Sequence, residues 1–449
     1  GNSTTNDGNF TVTQGKLECL SLSRLDFEAS SSDRVNLPDS SVITTVNTDF
    51  TVSAWVHKES TGGYDTLFGF GDNGDNLLLG FNGSEAVIYC DRWTGGTLTT
   101  SGISSQSWTN NWRHVVWQYD ATNTTAKIFV DGVLEVSGAR TSPLAITVAD
   151  RVIGAGEDTN EPFDGKARDL KWFDYVLSAD QVASLYAGGY NVTPKHWWKF
   201  DEGTGTTLED YGTGTDADGT MQSGAEPDWD NGTLDLDNSG ALTIQTNGTF
   251  SAPRGTCQVA GDITGGGKII HNNGTFESNR ASSTVNFDFS GSGVDADGNA
   301  QPMFYDVLCT SATTKIIRDT SIARELHIDS AATFKFNCNS RAVTLTMGTS
   351  SSAGEIHQDG GSFHFENNTS NAAKIVAADT SGLNPWTNVS GYNIDWDSGG
   401  SGSDIELANG NYSGTVTTGG GGVTIKLTGD MEFDAVTVSS GDTLDLNGQ

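Results

Sequence analysis

Trp112-Arg113-His114-Val115-Val116-Trp117-Gln118-Tyr119 is followed, after a polar break, by Ala126-Lys127-Ile128-Phe129-Val130-Asp131-Gly132-Val133. Apolar and polar residues alternate here at period two, the spacing of a strand with one buried face. The Asp131-Gly132 pair suits a two-residue hairpin turn, in which both central residues take positive φ. The pattern continues outward. Upstream lie Leu25-Asp26-Phe27, Arg34-Val35-Asn36-Leu37-Pro38 and Phe50-Thr51-Val52-Ser53-Ala54-Trp55-Val56. Downstream lies Phe163-Asp164-Gly165-Lys166-Ala167-Arg168-Asp169-Leu170-Lys171-Trp172-Phe173. One helix is predicted over Ser178–Tyr186, from a Ser N-cap, the early acid Asp180 and Gly188 beyond its end. Elsewhere short strands alternate with Gly, Asn, Asp and Ser breaks, so the chain reads as all-β.

Composition narrows the functions. The 449 residues carry 57 acidic and 24 basic side chains, a net charge of −33. Phosphate contacts need Lys and Arg, so a nucleic-acid partner is not expected, nor is an anionic membrane surface. The longest apolar run, Leu77–Phe81, is far short of a membrane span, so no membrane insertion is expected. Five cysteines, Cys19, Cys90, Cys257, Cys309 and Cys338, form no C-x-x-C pair and read as buried free thiols.

Nine of the eleven Trp precede residue 235, where bulky side chains suit a thick sandwich core. Thr, Ser, Gly and Asn dominate afterwards, and short units recur. Leu242-Thr243-Ile244 leads to Asn247-Gly248-Thr249-Phe250, and Ile270 leads to Asn273-Gly274-Thr275-Phe276. Leu326-His327-Ile328 leads to Thr333-Phe334-Lys335-Phe336, Ile356 to Phe363-His364-Phe365, and Val436-Thr437-Val438 to Thr443-Leu444-Asp445-Leu446. Each reads as two strands joined by a tight turn, the unit of a β-solenoid (parallel β-helix-like), with a second antiparallel sandwich as the competing fold. The expected organisation is an N-terminal extension over 1–16, a sandwich over 17–193, a Trp-rich connector or edge-completing segment over 194–235, and solenoid repeats over 236–449 that would continue past the last residue.

The four motifs between residues 25 and 180 occur in the order of the laminin-G-like and pentraxin-like concanavalin A-type jelly roll, and residues 17–193 resemble that family. The resemblance implies an antiparallel two-sheet jelly roll. Leu67-Phe68 followed by Gly74-Asp75-Asn76-Leu77-Leu78 is similar to the pentraxin Asp-Asn pair, and Ile153-Gly154-Ala155-Gly156-Glu157-Asp158 to its acidic loop. Carried over, Asp75, Asn76, Glu157 and Asp158 would supply oxygens to Ca²⁺, which takes 6–8 such ligands. The chain lacks the Gln between the two acids of that loop, which speaks against a second ion. Tyr64, Trp93 and Trp108 fall near predicted loops, where exposed rings would stack on sugars and buried ones would pack the core. His196-Trp197-Trp198-Lys199-Phe200-Asp201-Glu202-Gly203 resembles the opening of a further laminin-G-like copy whose strands do not follow. Jelly roll, connector and strand repeats in this order resemble virion-associated fibre and appendage proteins of tailed phages, an analogy of architecture.

No enzyme is expected. Glycosidases on this fold use an E-x-D-x-x-E strand, which is missing, as are a G-x-S-x-G elbow and a P-loop. His271, His327, His357 and His364 fall in the repeat strands and would align along a solenoid as a solvated stripe. The expected function is a non-enzymatic virion or extracellular surface protein. Its jelly roll would bind a cell-surface or extracellular glycan with Ca²⁺, and its repeats would form a β stalk in a homo-oligomer. The alternatives are a depolymerase using Asp306, Arg318, Arg324 and Asp329 in a solenoid groove, a self-assembling filament or capsid-decoration subunit without ligand, and a secreted bacterial adhesin.

Overall fold

The computed structural model describes residues 4–5, 10–19, 23–38, 48–60, 64–72, 75–82, 85–90, 98–99, 109–139, 150–156, 161–189, 191–236, 240–280, 284–310, 313–329, 332–337, 341, 343–349, 351–352, 354–358, 362–367, 373–377, 394–398, 404–407, 410–418, 424–427, 431–438 and 440–446. The chain divides into two compact units, Ser23–Asp230 and Gly1–Leu22 with Asn231–Gln449.

The first unit is a sandwich of two antiparallel sheets. One runs in the order Val133–Ala139, Thr125–Val130, Trp112–Asp120, Phe50–Lys58, Gly165–Phe173, Arg24–Phe27, Asp228–Asp230, with His196–Trp198 also paired to Gly165–Phe173. The other runs Thr207–Leu208, Gly219–Met221, Val35–Asn36, Asp150–Ile153, Tyr64–Asp72, Asp75–Asn82, Glu85–Cys90, Leu98–Thr99. The expected alternation appears: Val52, Ala54, Val56, Val115, Trp117 and Tyr119 are buried between the sheets. Trp172 stacks on Phe50 at 5.2 Å and meets Phe70 edge-on at 5.3 Å, so large rings fill the interior. Asp131 and Gly132 take φ of 50° and 82°, as the hairpin requires. Arg113 and the His114 amide bond the Asp131 carboxylate and fix the turn.

The helix spans Ala179–Tyr186. The Ser178 hydroxyl accepts from the Gln181 amide, and the Gln181 side chain accepts from the Ser178 amide. Val182 and Leu185 bury against Val116, Phe129, Phe173 and Leu177 on the outer face of the first sheet.

Of the two forms expected for residues 194–235 the chain takes the edge-completing one, and the sandwich begins at Ser23 rather than at residue 17. Most of the 194–235 segment belongs to the sandwich: Trp198 pairs with Leu170, Met221 with Val35, and Trp229 with Leu25. The residues expected as an N-terminal extension are not separate. Thr4–Thr5 pairs with Leu234–Asp235, and Phe10–Glu18 pairs in parallel with Leu242–Ser251. Each pairs backbone groups of its partner strand that would otherwise lie open on that side.

In the second unit the chain alternates between two sheets of mainly parallel strands, each strand pairing with one from the next circuit. In one sheet the register stacks Leu234, Cys257, Phe276, Val307, Leu326 and Ile356 in one inward column. All six are buried, and Phe276 meets Phe304 edge-on at 4.8 Å. Cys19, Cys257 and Cys309 are buried, and burial pushes the Cys309 thiol up to about 12. The repeats are less alike than their sequences suggest. At Asn272 and Asn273, φ of 50° and 60° turns the chain from one sheet to the other. The matching Asn247-Gly248-Thr249-Phe250 instead runs on within the single strand Leu242–Ser251.

Candidate functional site

Three chain segments converge on one rim of the sandwich. Strand Phe50–Lys58 ends there, and its Lys58 carbonyl accepts from the Asn110 amide at 2.8 Å. Strand Tyr64–Asp72 begins there. The Glu161 carbonyl accepts from the Thr66 amide at 2.8 Å, and the Glu161 carboxylate accepts from the Thr66 hydroxyl at 3.3 Å. Gly154, at φ +94°, lets the chain turn into this loop: a Cβ there would sit 2.5 Å from the Phe27 ring. Its amide donates to the Leu67 carbonyl at 2.8 Å. Tyr64 stands on this rim with 48% of its surface exposed.

Beneath the rim lies a buried ion pair. Lys58 is 1% exposed and Asp65 5%, and their side chains are bonded directly. The Ser60 hydroxyl also donates to Asp65, and the Lys58 ammonium lies 5.3 Å from the Phe81 ring centre. Burial raises the Asp65 pKa, while Lys58 pulls it the other way. Sequence reasoning missed this pair. Its signal was phase: Val52, Ala54 and Val56 face inward, and Lys58 continues that series, so its charge needs an internal partner.

Of the expected ion ligands, Asp75 and Asn76 lie away from this rim. Asp75 and Asn76 follow the hairpin at the other end of the strand, where Asn76 pairs with Gly71 and Asp75 with Asp72. Asn76 is 8% exposed. Thr66 and Asp72 are six residues apart, roughly 20 Å along a strand. Glu157 and Asp158 lie outside the described residues. Their described flanks, Gly154 and Glu161, bond Leu67 and Thr66 at the Tyr64 end. Trp93 and Trp108 also lie outside the described residues, but Thr109, next to Trp108, bridges to Lys58 on the same rim.

Two histidine arrangements look like catalytic pairs and are structural. The Ser53 hydroxyl lies 2.8 Å from His114 Nε2, yet Ser53 is 1% exposed and His114 2%, so no substrate reaches them. Burial lowers the His114 pKa to about 3. His196 Nδ1 bonds Asp210 at 2.6 Å, and Asp210 also accepts from the Trp197 and Gly212 amides. This pair locks the 194–212 turn onto the sandwich.

In the second unit, the acids and arginines of the depolymerase alternative form separate ion pairs. Arg324 grips Asp306 through two nitrogens in one sheet, and Arg318 binds Asp288 in the other. The Asp329 amide donates to the Cys309 carbonyl.

Comparison with known proteins bears on the first unit. Residues 29–183 match the family model described as the concanavalin A-like lectin/glucanases superfamily. No curated protein matches the chain. A Bacteroides ovatus protein described as carbohydrate-binding is 17% identical with a TM-score of 0.35; the match covers 48% of this chain and 60% of that one. A heptameric SAP-like pentraxin from Limulus polyphemus is 12% identical with a TM-score of 0.32, covering 39% of this chain and 87% of the pentraxin. A Ruminococcus gnavus sialidase module, CBM40, solved with alpha2,3 sialyllactose, is 14% identical with a TM-score of 0.31, covering 37% and 98%. The chain spans 60% of the length of the Bacteroides ovatus protein, each of these matches covers less than half of this chain, and the family match places a concanavalin A-like jelly-roll domain in the first unit.

Proposed function

We propose that this chain is a non-enzymatic glycan-binding protein of an extracellular or virion surface. The jelly roll takes sugar at the Tyr64 rim, and the parallel-strand unit is a β-solenoid stalk that assembles with copies of itself. One observation carries the reading: in a domain matching a lectin and glucanase family, Tyr64 is held exposed where three segments meet over the buried Lys58–Asp65 pair. A tyrosine ring offers a flat apolar face and a hydroxyl, which suits a sugar face with hydroxyls around it. Weak single sites gain strength from copy number, which fits a repeated stalk.

Several half-buried carboxylates of the sandwich are held by cations: Asp26 and Asp230 by Lys166, Asp131 by Arg113, and Asp169 by Lys171. These four carboxylates serve the sandwich itself, and the binding reading rests on the Tyr64 rim rather than on them. Ca²⁺ enters the proposal only at the loop acids Glu157 and Asp158. An ion shared with Asp75 and Asn76 finds no support in the strand register.

A glycan array probed with the full chain and with Tyr64→Ala tests the proposal. The wild type is expected to bind a defined glycan set, and the variant to lose binding at least tenfold at an unchanged melting temperature. No glycan bound, or equal binding by the variant, overturns it.

A further inference from the structure

We propose that the outer face of the parallel-strand unit holds a transition-metal site, suited to Zn²⁺ or Cu²⁺, made by Glu325, His327 and His357. Two circuits carry the same tripeptide pattern, Glu325-Leu326-His327 and Glu355-Ile356-His357. The strands pair in parallel so that Glu325 faces Glu355 and His327 faces His357. Leu326 and Ile356 are buried, which turns the flanking Glu and His outward.

The geometry is close to that of an ion site. The two imidazoles stack at 4.7 Å with an interplanar angle of 8°. His327 Nδ1 and His357 Nδ1 lie 3.5 Å and 3.8 Å from the same Glu325 Oε1. One donor atom from each of the three residues falls within 4.8 Å of the others. Ligands about 2.0–2.2 Å from a tetrahedral ion lie roughly 3.3–3.6 Å apart, so the stacked rings must turn about their side-chain torsions to aim both nitrogens at one ion. Imidazole nitrogen with a carboxylate favours zinc or copper over calcium, which takes oxygen alone.

Glu355 is exposed beside Glu325 and can supply the fourth ligand. The alternative is water, for which there is room: an open cavity of about 130 Å³ beside the site is lined by Thr275, Asp306, Leu308, Arg324, Glu325 and His327. Arg324, which grips Asp306, also lies 3.7 Å from Glu325 Oε2, so an ion would share that carboxylate with a guanidinium. The acidic surface of a chain with net charge −33 also draws cations toward it.

This site is separate from the Tyr64 rim, and its test uses no glycan. Calorimetric titration of the full chain with Zn²⁺ at pH 7.5 is expected to show one ion per chain at micromolar affinity, with Ca²⁺ giving no heat at this site. E325Q, H327A and H357A are each expected to weaken binding at least tenfold; all three side chains are half-buried on a surface, and circular dichroism checks their fold. Cu²⁺ paramagnetic resonance is expected to show two coordinated nitrogens, reduced to one in H357A. No stoichiometric binding, or binding unchanged in the H327A/H357A double variant, overturns the site and shows a hydrogen-bonded Glu–His cluster alone.

Discussion

The jelly roll and the parallel-strand unit bury apolar side chains by different rules, and each rule decides where polar chemistry gathers. In the jelly roll, strands reverse at every turn, and interior rings such as Trp117, Trp172 and Phe70 pack across two sheets. Polar residues meet at the strand ends, as Lys58, Asp65, Tyr64 and Glu161 do. In the parallel unit, successive circuits repeat one register, so side chains line up in rows on the strand faces. The inward row runs Leu234 to Ile356; an outward row runs Thr256, Thr275, Asp306, Glu325, Glu355. A functional cluster on the first unit is therefore assembled from distant turns, and one on the second from residues a circuit apart.

The sharpest test of this contrast is the buried pair. Lys58→Met removes the buried cation that faces Asp65 and leaves that carboxyl with the Ser60 hydroxyl, and about 3–5 kcal/mol is expected to be lost from the jelly-roll transition. Calorimetry should show the parallel unit melting where it did before. A shift of both transitions would mean that the two units unfold together.

Leu326→Ala removes one member of the inward column, at an expected cost of about 2–5 kcal/mol. Because each circuit touches only its neighbours, hydrogen exchange should rise over residues 304–309 and 355–358 and leave the sandwich unchanged. Uniform loosening of the whole chain would contradict the row description.

Acid separates the units more gently. Burial lowers the pKa of His114 to about 3 and of His271 to about 4, both below the unfolded value near 6.5. The unfolded state then takes up each proton first. Each contribution is complete above about pH 6.5 and is lost at about 1.4 kcal/mol per pH unit, down to pH 3 in the jelly roll and pH 4 in the parallel unit. His114→Phe should flatten the first slope in a pH series of melts. In the second unit, protonation would also break the bond from the Asn273 amide to His271 Nδ1, which pins a sheet-to-sheet corner.

The smallest effect expected is at the helix. Ser178→Ala removes the cap at a cost of about 1 kcal/mol. Because this helix covers only the outer face of one sheet, the Tyr64 rim should keep its ligand affinity.

Much of the sandwich was legible because its signals are local. Period-two alternation marked the strands, Asp131-Gly132 the hairpin, and Ser178 the helix start. An edge role for residues 194–235 was one of two open readings, but the partners were not legible, because the pairings of Phe10–Glu18 with Leu242–Ser251 and of Trp229 with Leu25 join residues some two hundred positions apart, and no local pattern encodes them. The site was legible in part. Tyr64 is exposed on a rim, one of the two outcomes its position near a loop left open, whereas Asp75 and Asn76 sit at the opposite end of its strand. A turn's sequence shows that the chain reverses but not which end of the sheet it occupies. The aligned histidines were visible as a pattern, but only the register paired His327 with His357 and set His364 in the other sheet.

Hydrogen–deuterium exchange of the full chain, with and without a saturating glycan drawn from the array, measures where the ligand sits. The account predicts slowed exchange at residues 58–60, 64–66, 109–112 and 161–164, with the strands over 304–328 unchanged. Protection confined to residues 304–328 would place glycan recognition on the parallel unit and contradict it.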